Sequence, residues 1–143
     1  MLFRSVGLKV WGSTNRGKIQ IDRVGRPLMS ALCLLPARKD AFNAGRPKEE
    51  FAEFHQDVAN RIATMRAGNF TGVDAVVATL LPDVLPFTLG LTDGYSLGNG
   101  RKLADDAVDV QLKLLTANSA PTDFVANDSV FGTAFPFLAP ANP

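Results

Sequence analysis

The apolar and polar positions along the chain divide it into segments of different period. Gly7-Leu8-Lys9-Val10-Trp11 and Lys18-Ile19-Gln20-Ile21-Asp22 alternate apolar and polar about the turn-forming run Gly12-Ser13-Thr14-Asn15-Arg16-Gly17. That pattern predicts an N-terminal β-hairpin over 1–23. From Pro27 the period changes. Leu28, Ala31, Leu32 and Leu35 recur at helical spacing and stop at Pro36, and Ala37–Asn43 reads as one further turn closed at Gly45. The strongest helix signal follows. Pro47, Glu49 and Glu50 open it, Phe51, Phe54, Val58, Ile62 and Met65 form its apolar stripe, and Gly68 closes it. Val73–Leu81 predicts another helix, ended by Pro82, and the glycine-punctuated stretch 86–98 reads as loop.

The stretch from Asn99 to Leu115 predicts the central helix. Lys102, Asp106, Asp109 and Lys113 fall on one polar stripe with Asp105 beside it. Leu103, Ala107, Val110 and Leu114 fall on the opposite side, leaving Gln111 and Leu112 out of phase. Asn99 suits the N-cap, and the acids lie where the helix dipole favours them. A strand competes for the second half, because Val108, Val110, Leu112 and Leu114 alternate with Asp109, Gln111 and Lys113. Residues 116–143 are rich in Pro and Phe and poor in charge. They predict an extended tail pinned by Phe124, Phe131, Phe135 and Phe137. The fold class expected is therefore α+β: a hairpin over 1–23, a helical core over 27–115 and a tail over 116–143. Because two strands alone leave open edges, the hairpin calls for a sheet that this stretch does not supply, and a fragment of a larger domain is expected.

Composition adds limits. With 143 residues, 46% hydrophobic and 20% charged, the chain matches one globular domain. Residues 1–46 carry nine Lys or Arg against two Asp, whereas 47–143 carry six against twelve acids, so +7 and −6 sum to the net +1. No basic cluster with interleaved aromatics marks a nucleic-acid partner. The apolar window Val73–Leu91 contains Asp74, Pro82, Asp83 and Pro86 and is not read as a membrane span. Met1-Leu2-Phe3-Arg4 begins no signal peptide. The single cysteine, Cys33, excludes an internal disulfide and reads as a buried thiol.

Candidate chemistry is sparse. Gly94-Tyr95-Ser96-Leu97-Gly98 matches the nucleophile elbow of serine hydrolases, but that arrangement needs a histidine after the serine, and the only one, His55, precedes it. Asp105, Asp106 and Asp109 present carboxylates to a hard cation such as calcium, yet lack EF-hand spacing; capping and pairing with Arg101, Lys102 and Lys113 are the simpler roles. Arg101 after Asn99-Gly100 is a candidate anion clamp or a structural tie. Asn69-Phe70-Thr71 and Asn127-Asp128-Ser129 are glycosylation sequons, meaningful in a eukaryotic secretory route.

Several blocks in order resemble a known family: Val24-Gly25-Arg26-Pro27-Leu28, Lys39-Asp40-Ala41-Phe42-Asn43, Asn99-Gly100-Arg101-Lys102-Leu103-Ala104-Asp105-Asp106-Ala107-Val108-Asp109 and Phe135-Pro136-Phe137-Leu138-Ala139-Pro140. They are similar to the C-terminal part of domain-of-unknown-function family 4331. The Asn-Gly-Arg…Asp-Asp…Asp block carries the resemblance, and Leu97-Gly98 departs from the Phe-Pro common before it. The resemblance implies a bacterial protein, secreted or of the cell envelope, whose N-terminal part is the partner of this chain. It implies no activity and no catalytic residue. The expected function is thus a structural or binding module, with a calcium-like or small-ligand site on Asp105, Asp106 and Asp109 as the alternative and a hydrolase acting through Ser96 as the second. No oligomeric state follows.

Overall fold

Pro47 starts the longest helix because a first-turn proline has no N–H to leave unpaired and its φ is already helical. In the computed structural model, which describes residues 12–14, 17–19, 23, 25–118 and 120–139, that helix runs Pro47–Met65. It is the third of five α-helices among the described residues. We number them α1 (Met29–Leu32), α2 (Pro36–Ala44), α3 (Pro47–Met65), α4 (Val73–Leu80) and α5 (Ala107–Thr116). A single 3-10 turn, Tyr95–Leu97, lies between α4 and α5.

The fold is helical, which corrects the α+β class. No sheet forms a layer of the described core, and the N-terminal β-hairpin expected as one is not found. Most of the stretch read as its strands lies outside the described residues. What is described is a three-residue antiparallel contact of Gly12–Thr14 with Gly17–Ile19, in which only Lys18 and Ile19 belong to a segment read as strand. The apolar area is buried by helices instead. Phe54, Val58 and Ile62 of α3 are fully buried, together with Ala59 and Ala63, which widen the stripe. Against them pack Val73, Val77 and Leu80 of α4, Leu115 of α5, Met29 of α1, Cys33 and Leu34 after it, and Phe42 of α2. The Phe42 and Phe54 rings meet edge to face at 5.2 Å, the geometry that places a ring's positive edge on its neighbour's negative face.

Local boundaries differ from the sequence pattern in three places. Pro36 opens α2 rather than ending α1, and Met29, Cys33 and Leu34 turn inward while Leu35 is 52% exposed. The central helix begins at Ala107, not near Leu103. Asp106 is its N-cap, its carboxylate accepting the N–H of Asp109 at 2.9 Å, which satisfies one of the helix's orphan donors. Residues 99–106 are loop, and Leu103 is 51% exposed. The inward line of α5 is Ala107, Gln111 and Leu115 at i, i+4 and i+8, so Gln111, which fitted the predicted stripe poorly, lies at its centre.

The far end of α5 is held by α3. The Arg66 guanidinium donates to the carbonyls of Leu114 at 2.7 Å and Leu115 at 2.9 Å, satisfying acceptors that a helix C-terminus leaves open and placing a cation at its negative end. Ala117 then adopts left-handed backbone, φ 54°, and the chain leaves the helix. Of the four phenylalanines expected to pin the tail that follows, Phe124 is 92% and Phe135 87% exposed, Phe137 is exposed and Phe131 is partly buried. Polar bonds lay it along α5 instead. Asp109 accepts the N–H of Asp123 at 2.9 Å, and Asn127 donates to the Ala104 carbonyl at 3.3 Å.

Candidate functional site

The stretch 94–109, from the 3-10 turn through the loop to the first turn of α5, holds every residue singled out as the Asn-Gly-Arg and aspartate block. Asn99 is buried. Its side-chain oxygen accepts the N–H of Thr88 at 2.6 Å, its amide reaches the Leu91 carbonyl, and its own N–H donates to Gly94. Asn99 therefore locks the 86–99 loop rather than capping a helix. Gly100, at φ 70°, donates its N–H to Pro86 at 2.6 Å, and a Cβ there would meet the Phe87 ring at 3.0 Å. A side chain would be strained on both counts.

Asp105 organises the next turn. One carboxylate oxygen accepts the N–H groups of both Tyr95 and Lys102, each at 2.8 Å. Those two donors, Tyr95 first, hold its carboxyl below the ordinary carboxylate range, as bonding to the charged form requires. Asp106 caps α5 and Asp109 receives the tail. All three carboxylates thus accept backbone N–H groups, Asp106 as the helix cap and the other two as ties to the loop and the tail. A cleft of about 300 Å³ opens between this loop and the tail, lined by Arg101, Asp105, Asp106, Asp123, Val125 and Asn127. No group of three or more His, Cys, Asp or Glu side chains arranged to hold a metal occurs among the described residues.

Ser96 lies exposed in the 3-10 turn. The imidazole of His55 is on α3, where it pairs with Asp74 of α4 at 3.3 Å and lies 4.8 Å from the Phe51 ring. The structure therefore spends the histidine on the α3–α4 contact.

A second polar constellation lies inside the core, where sequence reasoning placed none. Glu50, 1% exposed, pairs with Arg23 and accepts the N–H of Asp83 at 2.6 Å. Asp83, 5% exposed, in turn accepts the N–H of Arg26 at 2.7 Å. Tyr95 donates its hydroxyl to the Gln111 side-chain oxygen at 2.8 Å, with the Arg26 cation close by. Burial raises the Tyr95 phenol, with Arg26 opposing. Burial likewise pushes Asp83 up to about 6 and the Cys33 thiol up to about 12, so Cys33 is an inert protonated packing group at neutral pH. Asp83 Oδ2, Arg26 Nε and Gln111 Nε2 are buried and have no hydrogen-bond partner among the described residues.

Signals for these residues were present but ambiguous. Glu50 shares the phase of Phe54 on α3, Gln111 shares that of Ala107 and Leu115, and Asp83 is an isolated charge in the apolar run after α4. No protein-family model, curated protein or solved structure matches the chain. No helix among the described residues is long and apolar enough to cross a membrane.

Proposed function

We propose that this chain is a non-catalytic structural or binding module, the C-terminal portion of a secreted or cell-envelope protein, as the family 4331 resemblance implies. The observation that carries the reading is the tail. Phe124, Val125, Val130, Phe135 and Leu138 are 92%, 68%, 90%, 87% and 62% exposed, and a run of large apolar side chains left in water is a surface made for contact. The polar groups that resemble a reactive site support it from the other side, since Asn99, Asp105, Asp106 and Asp109 already serve the backbone. The partner proposed is the N-terminal polypeptide of the same protein.

The test is to express the polypeptide encoded upstream in the same reading frame and mix it with this chain. A one-to-one complex in size-exclusion chromatography with light scattering is expected, weakened at least about tenfold by the pair Phe124→Ser and Phe135→Ser, about 1.4 kcal/mol. Two polypeptides that elute apart would overturn the reading.

The cleft favours one alternative, a calcium-like or small-ligand site on Asp105, Asp106 and Asp109. It is the weaker reading because each of those carboxylates already has a backbone partner. Hydrolysis through Ser96 is weaker still, with the chain's one histidine engaged by Asp74.

A further inference from the structure

The buried constellation around Asp83 joins parts of the chain that no helix joins. The N–H of Arg26 bonds to the Asp83 carboxylate at 2.7 Å, with Gly25 packed directly against the Asp83 backbone. Glu50 of α3 grips the Asp83 backbone from the other side. The fit is tight: a Cβ on Gly25 would come within 2.6 Å of the Asp83 carbonyl oxygen and 2.7 Å of the Val84 Cα, both backbone atoms that cannot swing aside.

The decisive atom is Asp83 Oδ2. It is buried, lacks a hydrogen-bond donor among the described residues, and belongs to the same polar cluster as the fully buried Glu50 carboxylate. An ionised carboxylate with an unsolvated, unpaired oxygen is costly, and a second anion nearby adds to the cost. A proton on Oδ2 removes the charge, and with it the repulsion from Glu50 and the larger cost of burying an ion rather than a neutral polar group. It leaves Oδ1 a carbonyl-like acceptor, still able to receive the Arg26 N–H. We propose that Asp83 is a proton-operated clamp: protonated, it fastens the backbone at Gly25 and Arg26 to the helical body, and ionised, it loosens that attachment.

The groups that act on Asp83 come from every side. Arg26 and Gly25 approach through backbone N–H groups and Arg23 through its charge, all three favouring the anion. Glu50 from α3 opposes it, and burial outweighs the rest. The Cys33 thiol and the Tyr95 phenol also sense the Asp83 charge, and both remain neutral across the range that matters. The folded-state value, about 6, stands above the ordinary 3.8. Native structure therefore binds the proton more tightly than unfolded chain. The stabilisation is full below pH 3.8 and is lost as pH rises through about 6. Over that interval the folded-to-unfolded ratio attributable to this residue falls roughly 100-fold, tenfold for each pH step.

Two measurements test the clamp. In the first, the side-chain carboxyl carbons of the wild-type chain are followed by NMR from pH 3.5 to 8. Asp83 is expected to titrate near 6, and the amide protection factors of Gly25 and Arg26, corrected for intrinsic exchange, to drop between pH 5 and 7.5. An Asp83 midpoint below about 4.5, or equal protection at both pH values, would sink the proposal. In the second, Asp83→Asn fixes the neutral state. Its unfolding free energy should lose the step near pH 6 that wild type shows, and since His55 is present in both chains the difference isolates Asp83. Parallel pH profiles would also overturn it, and should the variant fail to fold, the wild-type titration decides alone.

Discussion

The Tyr95 hydroxyl donates to Gln111 Oε1 at 2.8 Å, joining a glycine-flanked 3-10 turn to the inward face of α5. Both residues are nearly inaccessible, at 4% and 1% exposure. Their bond explains how a glutamine occupies the middle of an apolar helix face. Tyr95→Phe leaves the Gln111 oxygen buried without that donor and should cost about 1–3 kcal/mol, the range for an orphaned buried polar group. Gln111→Leu should cost less in the Tyr95→Phe background than in wild type. A double-mutant cycle by urea unfolding measures that coupling, and additive losses would count against a shared bond.

On α5, burial and not the predicted stripe should set the cost of truncation. Leu115→Ala empties a fully buried position against α3 and should destabilise by about 2–5 kcal/mol. Leu103→Ala, at a half-exposed loop position, should stay within about 0.5 kcal/mol. Denaturant midpoints at constant slope give both values directly.

Asp106 should behave as a helix cap and Asp105 as a tie between loop segments. Removing the Asp106 carboxylate with alanine is expected to cost about 0.5–2 kcal/mol. Asp105 adds a pH dependence whose sign is opposite to that of Asp83. Its folded-state value lies below 3.8, so its contribution is present above about pH 4 and disappears as the pH falls through the lower folded value. Thermal melts of Asp105→Ala should therefore flatten the acid limb of the stability curve. An unchanged acid limb would show that the two backbone bonds to Tyr95 and Lys102 contribute nothing to folding.

Calcium gives a direct comparison between the module and ligand-site readings. A cation that binds only the folded chain raises stability in proportion to RT ln(1 + [L]/Kd). The expected result is a melting temperature that is the same in millimolar calcium and in chelator. A rise of several degrees that Asp106→Asn abolishes would favour the site on Asp105, Asp106 and Asp109.

Ser96 should remain unlabelled by a fluorophosphonate probe, because the chain's one histidine, His55, pairs with Asp74 on the α3–α4 face. Stoichiometric labelling lost in Ser96→Ala would make the hydrolase reading the better one.

Local signals were legible where one residue has one role. Pro47 with Glu49 and Glu50 marks a helix start, and the Phe54, Val58, Ile62 spacing marks its buried face, so the start of α3 and the centre of its stripe could be read directly. Val73–Leu80 was equally plain. Pro36 was ambiguous, because proline both ends one helix and begins the next, and only packing of Phe42 against Phe54 selects the second use. The start of α5 was misread for a related reason: Asn99 and Asp106 are both good N-caps, and Asn99 is consumed by Thr88. Phe51 fits the α3 stripe by spacing, yet it is 46% exposed and stacks on His55. The Glu50–Asp83–Arg26 constellation was least legible. It is assembled from segments far apart in sequence, and single charges in each look like ordinary surface residues until the fold closes over them.

Arg66 gives α5 a fixed stop. Because its guanidinium donates to the Leu114 and Leu115 carbonyls, acceptors at the end of this helix are satisfied without another turn, by a side chain at the end of a different helix. The point at which residue 118 departs is therefore decided at residue 66, in advance of anything the tail contains. Neither of those two hydrogen bonds involves a residue of the tail. The last segment is an attachment that evolution or an engineer can rewrite without retuning the helices that carry it.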